Sequence, residues 1–156
     1  MKLIKPTNHR LLILVDDEDY ELLSENNWQI NPETMAVQRC ERVAGKVVTI
    51  LMARVVVNAP KGVKVDHRNH NTFDNQKDNL RLASRSQNGA NRRKQTKPST
   101  SKFKGVYQFP SGQVIAQIAV NGKHIYLGSF KTHEAAAAAY DAAAVQQFGD
   151  FAFTNL

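Results

Sequence analysis

The chain has 156 residues, 42% of them hydrophobic, and a formal net charge of +7, which is enough apolar material for a core and enough length for two small modules. Its single cysteine, Cys40, excludes an intrachain disulfide and any four-cysteine or mixed cysteine–histidine zinc ribbon, so an intracellular setting is expected. The apolar run Leu11–Val15 ends at Asp16-Asp17-Glu18-Asp19 and is too short for a signal or spanning segment, so no membrane partner is expected.

From about 9 to 58 the pattern reads as scaffold. Leu11–Val15 and Val47–Met52 predict strands, and Tyr20, Leu22, Leu23 and Trp28 predict a short helix and turn with Trp28 in the core. The acidic cluster Asp16, Asp17, Glu18, Asp19 and Glu21 could in principle hold a metal. Its plainer role is to complement the macrodipole in the first turn of that helix. Cys40 falls in a predicted strand, Ala36–Cys40, as a small packed side chain.

From about 59 to 93 the order is strand, polar loop, short strand, helix. Val63-Lys64-Val65 delivers Asp66 and His67 at its end, and Asn69, Asn71, Asn75 and Asn79 crowd the following loop, where side-chain hydrogen bonds support turns. Leu80-Arg81-Leu82 alternates as a second strand. Ser84 with Gln87 three residues on is a capping-box pattern, so a helix begins there with Asn88 in its first turns. Asp66 is a hard oxygen ligand for a divalent cation, and His67 can be a base near neutral pH. Cleaving a phosphodiester needs both functions, a base for the water and a cation for the charge on the leaving oxygen. One Asp-His pair after a strand reads more simply as a turn with a surface histidine; Asp66, His67, Asn79 and Asn88 at this spacing favour the chemistry.

Charge is concentrated in the middle of the chain. From Lys61 to Lys104, twelve Lys/Arg face only Asp66, Asp74 and Asp78. Such a stretch suits phosphate contact and counterion release, with a solvated basic face as the plainer reading. Arg92-Arg93-Lys94 with Lys97, Lys102 and Lys104 reads as a basic linker, either lying along a phosphate backbone or serving as a solvated hinge. Beyond it, Lys104–Phe109, Gln113–Val120 and Lys123–Phe130 predict three strands, with Asn121-Gly122 as a hairpin turn. Thr132 caps a closing helix that Gly149 ends, and Ala135–Ala139 with Ala142–Ala144 gives it a small face for packing on a sheet.

Two resemblances follow from these motifs. Val65-Asp66-His67, Asp74-Asn75, Asp78-Asn79-Leu80-Arg81-Leu82-Ala83 and Gln87-Asn88 resemble the HNH endonucleases, in particular the phage-borne homing-type branch with a ββα-metal site. The resemblance implies that Asp66 and Asn88 hold one divalent cation, Mg²⁺ or Mn²⁺, that His67 activates the attacking water, and that Asn79 fixes the loop and orients His67. Where many relatives carry a His, this chain has Ala53; His70 is a possible substitute ligand or base. Lys104-Gly105-Val106-Tyr107, Tyr126-Leu127-Gly128-Ser129-Phe130, Glu134-Ala135-Ala136 and Ala139-Tyr140-Asp141-Ala142-Ala143, ending at Asn155, resemble the Apetala-type, ethylene-response-factor-like DNA-binding domain. That family's sheet enters the major groove. Tyr107, Phe109, Ser111 and Val114 stand where plant members tend to carry Arg or Trp, which leaves Lys104, Gln108, Gln113, Gln117, Lys123 and Tyr126 as contacts, beside Arg85, Arg92, Arg93, Lys94 and Lys102 in the basic middle.

The expectation is therefore an α+β protein. An HNH nuclease module over 1–94, with its ββα-metal core at about 59–93, leads through a basic linker at 95–102 to a three-stranded antiparallel sheet packed on one helix over 103–156. It would act on double-stranded DNA with no obligate protein partner evident, nicking one strand to leave 5′-phosphate and 3′-hydroxyl ends. If phage-encoded, it would work in the host cytoplasm. The competing reading is an inactive DNA-binding regulator.

Overall fold

The computed structural model describes residues 1–94 and 100–156 and shows a mixed fold of small antiparallel sheets and short helices. Two compact units emerge, Met1–Ala83 and Ser84–Leu156. Residues 95–99 of the expected linker, Lys97 among them, lie outside the described residues.

In the first unit β1 (Lys2–Ile4) pairs antiparallel with β2 (Ile13–Val15). Because β1 is three residues long, only the end of the Leu11–Val15 run finds a partner strand, and Leu11 and Leu12 stay exposed. Helix α1 (Tyr20–Ser24) follows, then the sheet β3 (Gln29–Ile30), β4 (Val37–Val43) and β5 (Lys46–Leu51), with β4 in the middle. Ile4, Ile13, Val15, Leu23, Trp28, Ile30, Val37, Met52 and Phe73 form one core, each large aliphatic side chain contributing roughly 1.5–3 kcal/mol on burial. Trp28 is buried as expected, and its Nε1 donates to the Leu23 carbonyl at 2.7 Å. Cys40 lies on a strand but is exposed rather than packed. The reason is geometric: β3 pairs with β4 only at Val37 and Gln38, so beyond them β4 and β5 run on as a two-stranded ribbon.

Helix α2 (Met52–Val56) leads toward the strand that carries the Asp-His pair. The Arg54 guanidinium donates to the carbonyls of Ala59 (3.0 Å), Pro60 (2.8 Å) and Val63, and so fixes the segment that enters β6 (Lys64–His67). β6 pairs antiparallel with β7 (Leu80–Ala83), which follows a 3-10 turn at Lys77–Asn79.

The second unit begins with α3 (Arg85–Ala90), closed by the expected capping box. Ser84 Oγ accepts from the Gln87 backbone at 3.1 Å, and Gln87 Oε1 accepts from the Ser84 backbone at 2.9 Å. The sheet that follows has β9 (Val114–Val120) at its centre, flanked by β8 (Val106–Gln108) and β10 (Lys123–Phe130). Asn121 and Gly122, with φ of 51° and 80°, make the β9–β10 turn, a left-handed pair that matches the twist of a tight hairpin. Thr132 Oγ1 caps α4 (His133–Phe148) by accepting from Ala135 at 3.1 Å. Val114, Ala116 and Ile118 alternate toward α4, whose Ala136, Ala137, Tyr140 and Ala144 are buried in return. Gly105 shows how close the packing is: a Cβ there would lie 2.1 Å from the Tyr140 ring and 2.6 Å from the Gln117 carbonyl. Asn155 locks the end of the chain, bonding Asp141 and both backbone groups of Lys104.

Among the described residues no helix is long and apolar enough to cross a membrane.

Candidate active site

The antiparallel register of β6 and β7 sets Asp66 directly opposite Arg81 and His67 opposite Leu80. Cross-strand partners share a face, and successive residues alternate faces. Asp66 therefore meets Arg81, while His67 is turned away from that pair. Asp66 Oδ2 accepts from Arg81 Nε at 2.8 Å and lies 2.8 Å from Arg81 Nη2, with both side chains under 10% exposed. This is a buried, charge-assisted pair, strong in geometry and costly to break.

His67 is partly buried at the end of β6. Burial pulls its pKa below the ordinary histidine value; the Asn75 side chain beside it and the charges of Asp66 and Asp74 oppose that pull. The net shift is downward and favours the neutral imidazole, the form a base requires.

The loop between β6 and β7 is fastened at every stage. Asn79 is buried, its Oδ1 accepts from the Asn69 backbone at 3.0 Å, and its Nδ2 donates to the Asp74 carbonyl at 2.8 Å. One amide thus ties the end of the loop to its start and its middle. Asn69 Nδ2 reaches Asp74 Oδ2 at 2.8 Å, and Leu14 of β2 exchanges backbone bonds with Phe73 and Asn75 at 2.8 and 2.9 Å. His70 sits in a turn with a φ of 62°.

The acidic cluster serves this loop more than its own helix. Asp19, at the start of α1, makes no side-chain cap. Asp16 instead accepts from the Lys77 backbone at 2.7 Å and from Gln76 Nε2 at 3.1 Å, while Glu18 and Asp19 pair with the Lys77 ammonium. These anchors, along with Arg81 and Arg54, are not among the functional residues legible in the sequence. The only sequence signal was an excess of carboxylates upstream and an arginine in the right register.

Asp66, His67 and Asn79 thus belong to the first compact unit, whereas Asn88, half-buried on α3, belongs to the second. In that second unit Arg85, Arg92, Arg93, Lys102 and Lys123 are exposed. Lys94 Nζ lies 5.6 Å from the centre of the Tyr107 ring. On the sheet, Tyr107, Ile115, Gln117, Tyr126 and Ser129 share the face opposite α4, and Tyr126 is 61% exposed. Gln113 and Tyr126 both bond Ser129 at 2.8 Å. Gln108 stands opposite Val114, on the other parity at the sheet edge. Lys104 is turned inward, and burial together with the Arg92 charge brings its pKa down to about 8.

A family model described as HNH endonuclease matches residues 58–90, the segment that contains Asp66, His67, Asn79 and Asn88. This segment is an HNH endonuclease domain. Its family boundary runs past Ala83, so the domain takes in α3, which packs within the second compact unit. An HNH endonuclease of Acanthamoeba polyphaga mimivirus is 35% identical over 96 residues, covering 62% of this chain and 49% of that protein. An AP2/ERF and B3 domain-containing transcription factor of Arabidopsis thaliana is 48% identical over 54 residues, 33% of this chain and 15% of its own length. An ethylene-responsive transcription factor of the same plant is 46% identical over 65 residues, 38% of this chain and 41% of its own. The chain therefore joins an HNH domain to a region similar to AP2/ERF DNA-binding proteins, and it spans about half or less of the length of these relatives.

Proposed function

We propose that the chain is a divalent-metal-dependent DNA endonuclease of the homing type, acting inside the cell on double-stranded DNA in phage or mobile-element transactions. The observation that carries this reading is a half-buried His67 next in the chain to a buried Asp66, within a segment that matches the HNH endonuclease family. His67 accepts a proton from the attacking water as the new O–P bond forms. The bond from phosphorus to the 3′ oxygen then breaks, and that oxygen takes a proton from solvent water, leaving 5′-phosphate and 3′-hydroxyl ends. Asn79 acts by holding the loop that follows His67. A chain with one such site nicks one strand.

Asp66 and Asn88 would hold the cation, in a ββα-metal arrangement of β6, β7 and α3. The donor set fits Mg²⁺ or Mn²⁺: one carboxylate and one amide, both hard oxygen donors. Such ions take one or two protein ligands and complete their shell with water and phosphate, whereas zinc prefers a nitrogen or sulfur cage. The Arg81 contact is compatible with this role, because each carboxylate oxygen carries two lone pairs. When bound, the cation would neutralise charge developing on the leaving oxygen.

Arg85, Arg92, Arg93, Lys94, Lys102 and Lys123 would supply phosphate contacts, while Gln117 and Tyr126 on the open sheet face, with Gln108 and Gln113 at its edge, would meet bases. Lys104 contributes least directly, since its ammonium is engaged with carbonyls of its own unit. The competing reading, an inactive DNA-binding regulator, draws on the Asp66–Arg81 pair and on Ala53.

Cleavage of supercoiled plasmid in Mg²⁺, Mn²⁺ or EDTA, by wild type and by His67→Ala, tests the choice. The expected result is metal-dependent nicking that falls by about 10²–10⁴ in the variant while DNA binding persists. Binding without cleavage by the wild type would select the regulator.

A further inference from the structure

Lys104 is one of the cations that the sequence directs toward phosphate, yet its Nζ donates to the carbonyls of Gly89 (3.3 Å) and Ala90 in the last turn of α3 and of Arg92 (2.7 Å) just beyond it. The last carbonyls of a helix lack internal partners and carry its negative end, so an ammonium there satisfies them and favours the helix. The anchor is itself anchored. Lys104 N donates to Asn155 Oδ1 at 2.7 Å, Asn155 Nδ2 returns a bond to the Lys104 carbonyl at 3.1 Å, and Asp141 of α4 holds Asn155 through bonds of 2.8–3.0 Å. α3 depends on such support because a helix of six residues is far too short to hold itself. Two more contacts grip it within the same unit: the Asn121 backbone donates to Ser86 Oγ at 3.0 Å, and Phe153 N to the Ala90 carbonyl at 3.3 Å. Asn88 immediately precedes the first of the three carbonyls that Lys104 holds.

We propose that Lys104 is a positioning residue for Asn88: the line Asp141, Asn155, Lys104 fastens α3 to the sheet-and-helix unit and so sets the place of one metal ligand. This rests on the nuclease reading above and deepens it.

The test uses the full chain and Mn²⁺ alone as the probe. Lys104→Met keeps the length of the stem and loses the ammonium. It is expected to weaken Mn²⁺ binding measured by calorimetry about tenfold, the scale of losing support behind a metal ligand, and to reduce kcat by a similar factor. Duplex affinity in EDTA, and its dependence on salt, should stay as in wild type. Amide exchange at Asn88 and Asn91, whose N–H groups bond the carbonyls of Ser84 and Gln87 at 3.0 and 3.1 Å, should speed up while the β9 amides remain protected. Lys104→Gln, whose amide still donates to these carbonyls, serves where Lys104→Met does not fold and should lie between it and wild type on each readout. Unchanged Mn²⁺ affinity, or a loss of duplex affinity with a salt slope lower by about one, would make Lys104 a phosphate contact or a neutral bystander and overturn the proposal. A wild type that neither binds Mn²⁺ nor cleaves would overturn the nuclease reading along with it.

Discussion

The two compact units use charge in opposite ways. Met1–Ala83 carries twelve Lys/Arg and eleven Asp/Glu, a net of +1, and spends many of them internally: Asp66 on Arg81, and Asp16, Glu18 and Asp19 on the Gln76–Lys77 turn. Ser84–Leu156 carries nine Lys/Arg against three Asp/Glu, a net of +6, and leaves most of its cations exposed. Balanced and paired charge holds side chains in place, whereas exposed cations raise affinity for a polyanion without specifying chemistry. Losing the charge pairs of the first unit should therefore cost chemistry before affinity, and losing exposed cations of the second should cost affinity before chemistry.

Arg81→Met is the strongest way to break the first unit. It leaves Asp66 buried beside an apolar stem, and removing one partner of a buried pair costs about 3–5 kcal/mol. Thermal melting should show a large loss confined to residues 1–83, with duplex affinity in EDTA much less affected. A melting curve like that of wild type would mean that Arg81 does not offset the cost of burying the Asp66 charge.

Gly105→Ala strikes the second unit instead. The new methyl would meet Tyr140 and the Gln117 carbonyl well inside contact distance, at a φ of 74°. Overpacking and left-handed strain each cost roughly 1–3 kcal/mol. Duplex affinity should drop with the stability of residues 84–156. Retained affinity would show that the sheet does not carry the binding.

Replacing Arg92 and Arg93 together by Ala should act more gently. Both are exposed, so stability should change little, while the slope of log affinity against log salt falls by about two, one for each lost phosphate contact. The Mn²⁺ affinity of the chain should not move. An unchanged slope would place these two cations off the DNA.

Local signals carried most of what the sequence made legible. The Ser84–Gln87 capping box, the Asn121-Gly122 turn, the Thr132 cap and the strand that ends in Asp66-His67 each depend on residues a few positions apart, and each forms where expected. What stayed hidden depends on register and distance along the chain. Arg81 looked like one more cation of the basic middle, and only the β6–β7 register places it against Asp66. Lys104 looked like a phosphate contact because its charge is visible in the sequence and its carbonyl partners are not. The acidic cluster pointed to a helix start, while its partners lie about sixty residues downstream. Cys40 is exposed because β3 stops short, a limit set by strand pairing and not by any property of residues 36–40.

The finest test concerns His67 itself. Its folded pKa is lowered, chiefly by burial, so the unfolded chain binds the proton more readily. Between the lowered value and the ordinary 6.5, stability rises with pH and is lost as pH falls. A base must be unprotonated, so the acid limb of kcat/KM should lie below the ordinary histidine value, and cleavage should persist into mildly acid buffer. Asn75→Asp sets a charge where a neutral amide now opposes the effect of burial; it should move that limb upward. The salt dependence of binding, set in the other unit, should stay where it was. A limb that ignores Asn75→Asp would mean that some other group gates the reaction, and the acid–base role would leave His67.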